Sequence, residues 1–186
     1  MAETQIILIR HGEAASSWSD HPDPGLSDEG QGQAALTGKS LSEEYANHQL
    51  LSSPKKRAME TMDYVSKGLK KDFLIDGRFI EIPAIGVPQD QKQKWLMGMM
   101  ETPIADLPIE ILKWRKDLID WLDACREPVI VGTHFMVINV LVSYLLSHPR
   151  LLYFHPSYAS KTEILMQDHK IKGLILGDEK KTNINL

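Results

Sequence analysis

The sequence predicts an α/β fold, a three-layer α/β/α arrangement around a mostly parallel mixed sheet, and three observations predict it. Short apolar segments at 6–9, 49–52 (Leu50 and Leu51 at its centre) and 129–131 have the length of strands buried on both faces. Segments of helical periodicity alternate with them, the pattern of a parallel sheet covered on both sides. Each run ends in residues that carry chemistry: Arg10-His11-Gly12, then Ser53 to Arg57, then Thr133-His134. Open α/β sheets bind ligands just beyond the carboxyl ends of such strands.

The elements follow in order. A strand over 5–9 leads into a loop at 13–26, rich in Ser, Asp and Pro and therefore irregular and ligand-facing. Ser27 is placed to cap a helix on which Gln31, Ala34, Gly38, Leu41 and Tyr45 recur at helical spacing. Pro54 suits the first turn of a second helix, with Ala58, Met62, Val65 and Leu69 on one face, and this turns Arg57 back toward the preceding strand. Short strands at about 73–75 and 78–82 flank an Asp76-Gly77 turn. Residues 83–107, holding Trp95, Met97, Met99 and Met100, read as an irregular, lid-like insertion in a single domain spanning 1–186. Asp106 is placed to cap a long helix with Pro108 in its first turn. A strand at 129–133, a buried helix at 135–147 and a hairpin near 162–176 complete the fold, and the last nine or so residues read as disordered.

Composition narrows the function classes. Net charge is −4, with 21 basic and 25 acidic residues mixed along the chain, which points to neither nucleic acid nor an anionic membrane as a partner. The first strand begins almost at once, leaving no room for a signal peptide, and the lone Cys125 gives no disulfide framework. Both fit a cytoplasmic protein. Residues 129–146 are apolar enough to raise a membrane-spanning reading, but Gly132, Thr133, His134, Asn139 and Ser143 argue for a strand, a turn and a buried helix instead.

The strand-end residues suit a phosphate. Arginine grips phosphate bidentately, imidazole can accept a phosphoryl group, and Gly12 lets backbone approach a ligand closely. On these residues the chain resembles the histidine phosphatase (phosphoglycerate mutase-like) superfamily, small phosphatase branch, over roughly 5–177. Arg10-His11-Gly12-Glu13 is similar to its signature. Leu26-Ser27-Asp28-Glu29-Gly30 with Gln33-Ala34 looks like the start of its first helix. Ser53 to Arg57-Ala58 with Thr61 resembles the segment carrying its second phosphate-binding arginine, and Thr133-His134 its second histidine motif. Glu81, within Arg78 to Pro83, sits where the family keeps an acidic proton donor, and Ser160-Lys161-Thr162 is similar to the start of its last strands. The resemblance implies a phosphoglycerate mutase-like fold and a metal-independent phosphomonoester hydrolase that takes a small phosphorylated substrate and needs no cofactor. It implies catalytic roles for His11, Glu81 and His134, and phosphate contacts from Arg10, Arg57, a protonated His134 and Ser17. Two positions depart from the family pattern. Phe135 follows the second histidine where glycine is usual, placing a bulky ring at the mouth of the site, and Ser17 stands where the family often has asparagine.

Other readings remain open at this stage. The same site would serve a mutase moving phosphoryl groups, or a non-catalytic module binding a phosphorylated ligand. Glu13, Asp76 and Glu101 compete with Glu81 for the acid role. His21, His48, His148, His155 and His169 lack metal-ligand spacing and read as surface or turn residues. Gly38-Lys39-Ser40 mimics the end of a P-loop but has Gln33 where glycine is required. Cys125 has Val131 where a cysteine phosphatase needs its arginine.

Overall fold

Alternate residues of the three central strands go to opposite faces of one sheet, as extended backbone requires. Ile6, Leu8, Leu51, Val129 and Val131 join one apolar core, while Ile7, Ile9, Leu50 and Ile130 join a second. Both faces are covered, so the middle positions of these strands are apolar whichever way they point. The structure is a computed structural model and describes residues 3–16, 22–41, 43–168 and 170–186.

Its six strands are β1 (Thr4–Arg10), β2 (Gln49–Ser52), β3 (Leu74–Ile75), β4 (Val129–Thr133), β5 (Lys161–Gln167) and β6 (Lys170–Ile175), in the spatial order β3-β2-β4-β1-β5-β6. The first four pair in parallel, and β5 lies antiparallel between β1 and β6. Helices α1 (Asp28–Ser40) and α2 (Lys56–Leu69) pack together on one side, with Met62 and Val65 of α2 in the smaller core. The larger core draws on α3 (Lys92–Glu101), α4 (Ile109–Ala124) and α5 (Phe135–Leu145). The three-layer, mostly parallel mixed sheet is therefore as the sequence predicts.

Ser27 caps α1 as expected, its hydroxyl accepting from the Gly30 amide at 3.0 Å. Two glycines then let this helix start press against the turn after β1. A Cβ on Gly30 would lie 2.1 Å from the Glu13 carbonyl oxygen, and one on Gly12 would lie 2.5 Å from the Gly30 oxygen. Nearby, the Gly12 amide donates to the Thr61 hydroxyl of α2 at 3.0 Å, and the Glu13 amide to the Gln33 side chain at 2.9 Å. The backbone of 11–13 is thus fixed from both helices.

Several local expectations fail for identifiable reasons. Helix α1 stops at Ser40, and Tyr45 belongs to a separate 3₁₀ turn, Glu43–Tyr45. Residues 78–82 form no strand: the Asp76 side chain accepts from the Arg78 amide at 3.0 Å and starts a 3₁₀ turn over Gly77–Phe79. The segment 83–107 is not irregular throughout, because α3 lies within it and buries Leu96 and Met100. Pro108, rather than Asp106, stands at the N-cap of α4, since Asp106 is held in the 3₁₀ turn Ile104–Asp106. His48 is buried, its ring edge-on to Tyr45 at 5.3 Å, whereas His21 and His169 lie outside the described residues.

Helix α5 is apolar all round because it is enclosed. Among the described residues no helix is long and apolar enough to cross a membrane. Its two polar side chains pin the following loop: Asn139 accepts from the Tyr153 and Phe154 amides at 2.8 and 3.0 Å, and Ser143 donates to the Leu151 carbonyl at 2.8 Å.

The final residues are ordered, contrary to expectation. Pro156 and Glu179 form an antiparallel bridge, the Ser157 amide donates to the Asp178 carbonyl at 2.6 Å and the Lys180 amide to the His155 carbonyl at 2.9 Å. Ile184 and Leu186 pack against the larger core, and Asn185 is buried. Tertiary contact, not local propensity, orders this segment.

Gly30→Ala is expected to cost about 2 kcal/mol, because backbone rather than a flexible side chain occupies the space. In a chain of this size that is roughly 4–8 °C of Tm, measurable by thermal unfolding.

Candidate active site

Three neighbouring strands end level. Arg10 of β1 is opposite Thr133 of β4, and Ser52 of β2 is opposite Gly132. The next residues, His11, Ser53 and His134, are therefore delivered side by side. Two backbone bonds hold the alignment: the His11 amide donates to the Thr133 carbonyl and the Ser53 amide to the Gly132 carbonyl, both at 2.9 Å. Arg57 reaches this point from the first turn of α2, where side chains lean back toward the helix start. That start has no cap from Lys55; the Asp23 carboxylate accepts the Lys56 amide at 3.1 Å instead. Arg10, Arg57, His11, His134 and Ser53 are all essentially buried.

The protonation pattern of His11 follows from its partners. Nδ1 is 2.6 Å from the Gly12 carbonyl oxygen, which can only accept, so Nδ1 carries the proton. Arg57 donates its Nε–H to Nε2 at 3.1 Å, so Nε2 presents its lone pair. Burial, then Arg57 and Arg10, hold the pKa of His11 well below the usual histidine value and keep the ring neutral. The result is a nucleophilic nitrogen aimed at a guanidinium that an anion can engage.

His134 sits 5.2 Å from His11, ring centre to ring centre. Its Nε2 is 2.7 Å from the Ser53 hydroxyl and its Nδ1 faces Arg57 Nη2 at 3.4 Å. Burial and the Arg57 charge push its pKa well below the ordinary value. With no anion beside it the ring favours the neutral form, its Nε2–H directed to Ser53; the protonated His134 expected from sequence belongs to the phosphate contact.

Arg10 and Arg57 carry the positive charge. Arg10 donates from Nη1 to the Pro156 carbonyl at 2.7 Å and lies over the Tyr158 ring at 4.3 Å from its centre. Burial lowers its pKa to about 10, so it remains charged at neutral pH. Phe135 does not narrow the mouth of the site. Its buried ring lies under the Arg10 guanidinium at 5.1 Å and meets His155 edge-on at 5.7 Å. Arg10 Nε and Arg57 Nη1 are buried with no hydrogen-bond partner among the described residues, and Arg57 Nη1 is 4.0 Å from Asp23.

Glu81 is buried at the start of α5, where Oε1 accepts from the Ile82 amide at 2.9 Å and the Met136 amide at 3.1 Å. Burial raises its pKa to about 7, against the opposing pull of those amides and of Arg57 and Arg10. It therefore shares the field of the arginines and exchanges a proton near neutrality. The segment carrying it is tied to β4 by the Thr133 hydroxyl, which donates to the Phe79 carbonyl at 3.0 Å. Of its sequence competitors, Asp76 is occupied by Arg78, and Glu101 by Arg150 at 3.0 Å. Glu13 accepts the Ser27 hydroxyl at 2.8 Å. Ser17 lies outside the described residues.

Ser53 and Tyr158 shape the site without having been given a role in it from sequence. Ser53 had a readable signal, since it follows β2 as His11 follows β1. Tyr158 is brought in by a loop whose path depends on Asn139, which no local pattern announces.

The histidine phosphatase superfamily (branch 1) profile matches residues 6–103, just over half of the chain. The chain belongs to the histidine phosphatase superfamily. No curated protein matches it significantly. Solved structures of this superfamily's fold agree with it throughout. Phosphoserine phosphatase from Entamoeba histolytica, in complex with 3-phosphoglyceric acid, superposes with a TM-score of 0.70 at 21% identity, covering 96% of this chain and 98% of that one. A mycobacterial glucosyl-3-phosphoglycerate phosphatase bound to vanadate gives 0.68 at 20% identity, covering 93% and 97%. A mycobacterial hydrolase gives 0.70 at 18% identity, covering 94% and 97%. At these identities the likeness extends to the fold, which is phosphoglycerate mutase-like.

Ser53→Ala removes the acceptor for the His134 ring and leaves a buried N–H unpaired. The expected cost is about 1–3 kcal/mol of stability, measured by denaturant unfolding.

Proposed function

We propose that this member of the superfamily is a phosphomonoester hydrolase working through a phosphohistidine on His11, with a small phosphorylated molecule as substrate. The observation that carries the reading is the His11 geometry: a neutral imidazole with its Nε2 lone pair held against Arg57, beside a second buried arginine. The solved relatives named for phosphoserine and glucosyl-3-phosphoglycerate hydrolysis are consistent with that substrate class.

In the proposed reaction, Nε2 attacks phosphorus while the bond from phosphorus to the departing oxygen breaks. Glu81 gives that oxygen its proton. Water then attacks the phosphohistidine, the N–P bond breaks, and Glu81 takes the proton from water, so ester and water become alcohol and inorganic phosphate. Nδ1–H on the Gly12 carbonyl stabilises the positive ring of the intermediate. Arg10, Arg57 and His134 bind the equatorial oxygens; a dianion beside His134 raises its pKa from the depressed value of the unliganded site. Positioning and charge stabilisation supply most of the acceleration in phosphoryl transfer, and these groups are fixed before substrate arrives. The buried Glu81 in the arginine field favours hydrolysis over simple binding, since binding requires no proton donor.

His11→Ala is expected to lower hydrolysis of an aryl phosphate by on the order of a thousandfold or more, and mass spectrometry should find an acid-labile phosphoryl adduct on the parent chain and none on the variant. Equal rates in the two proteins contradict the mechanism.

Glu81 makes a pH prediction. Its acid form is required, so kcat/KM for an alkyl phosphate should fall as pH rises through about 7. Glu81→Gln should abolish that limb and slow alkyl phosphates by about 10²–10⁴-fold, while aryl phosphates with good leaving groups lose far less. Stability has the same sign. The folded pKa lies above the unfolded one, so the folded state holds the extra proton between about 4.5 and 7 and its stability falls as pH rises through that window.

A further inference from the structure

Residues 181–186 run across the arginines. Arg10 Nη1 donates to the Thr182 hydroxyl and Arg10 Nη2 to the Asn183 carbonyl at 2.7 Å, while Arg57 Nη2 donates to the Asn185 carbonyl at 2.9 Å. Tyr158, whose ring faces Arg10, donates its hydroxyl to the same Asn183 carbonyl at 3.0 Å. The pattern is that of an extended segment. Carbonyls at 183 and 185 accept from the guanidinium groups, and Ile184 and Leu186 pack against the larger core. Upstream, 178–180 are fastened to 155–157 by the bridge and its flanking bonds, and the His155 amide adds a bond to the Glu179 carboxylate at 3.1 Å. The short reach from that anchor keeps the local concentration of the segment high.

These acceptors use the donors a phosphate needs. A carbonyl carries a partial charge and a phosphate dianion two full ones, so the segment satisfies the arginines only in part. Arg10 Nε and Arg57 Nη1 are left without hydrogen-bond partners among the described residues. The contact is therefore of a kind that an anion can displace.

We propose that residues 181–186 form an internal strap over the phosphate site, competing with phosphorylated substrate for Arg10 and Arg57 and so restraining the enzyme until displaced. The proposal rests on the phosphate-site reading above. Strap and phosphate exclude each other, and the apparent affinity for phosphate is lowered by the fraction of molecules with the strap seated.

The test is calorimetric titration of inorganic phosphate into three proteins: the full chain, a chain ended after Lys180 that keeps the anchor, and Thr182→Glu. Ending the chain at Lys180 should tighten phosphate binding by on the order of tenfold or more. Thr182→Glu places a carboxylate at Arg10 and should weaken it. A synthetic peptide of residues 181–186 should restore weaker binding to the shortened chain. Unchanged or weaker binding on shortening overturns the proposal. If the shortened chain does not fold, Thr182→Glu decides alone, and parent-like affinity overturns it. Because the readout is binding, the two readings separate. A shortened chain that binds phosphate tightly yet hydrolyses nothing keeps the strap and loses the hydrolase. Equal binding with full hydrolysis does the reverse, and no phosphate binding by any of the three overturns both.

Discussion

Two guanidinium groups are held out of water at the ends of three central strands, and much of the chain is arranged around that cost. A buried charge is costly unless it is paired and hydrogen-bonded. Among the described residues Arg10 and Arg57 have one buried acid in their field, Glu81, whose own pKa of about 7 leaves it only partly ionised at neutrality, and the more exposed Asp23 lies 4.0 Å from Arg57. Backbone carbonyls of Pro156, Asn183 and Asn185 and the rings of Tyr158 and Phe135 offset some of the penalty. A full balance requires an anion. Burial, and after it the same excess of positive charge, holds both histidines neutral, and neutrality is what makes His11 a nucleophile. Charge, tautomer and chemistry are one constraint at three levels.

The fold meets that constraint with rigid parts. Every group comes from a strand end, a helix start or a loop pinned by side-chain bonds. β1 and β4 align His11 with His134, the first turn of α2 aims Arg57, and the start of α5 offers amides to Glu81. Gly12 and Gly30 permit the close approach that fixes the His11–Gly12 turn, so the Gly12 carbonyl can hold the imidazole proton. A shift of an ångström in any of these would leave the groups present but misaimed.

Much of this was legible in the sequence because it rests on period and placement. Short apolar segments marked the buried strands, and the residues after them marked the site, since strand ends in a parallel sheet converge. Arg57 was readable from the helix that follows Pro54 and the backward lean of helical side chains, although Pro54 itself lies before the Lys55 N-cap rather than in the first turn. What escaped depends on contacts between distant segments. Residues 78–82 hold Phe79, Ile80 and Ile82 beside an Asp76-Gly77 turn and read as a strand, yet Asp76 captures the Arg78 amide and turns the chain. Helix α3 has no capping side chain and Gly98 near its end, and it forms because Leu96 and Met100 reach the core. Residues 178–186 are polar with few apolar positions, a pattern read as disorder. Their order comes from the bridge to Pro156, the carbonyl contacts to Arg10 and Arg57, and the packing of Ile184 and Leu186 on the larger core. Phe135 looked like an obstruction because the sequence does not say which way a ring points.

The central claim is that His11 is a neutral imidazole protonated on Nδ1, with an unprotonated Nε2 that accepts from Arg57. Long-range ¹⁵N–¹H NMR of the histidine side chains, with His11→Gln to assign the signals, tests it directly. At pH 6 the account predicts a neutral His11 whose proton is on Nδ1 and whose Nε2 has the shift of an unprotonated nitrogen. A cationic ring at that pH, or a proton on Nε2, would contradict it.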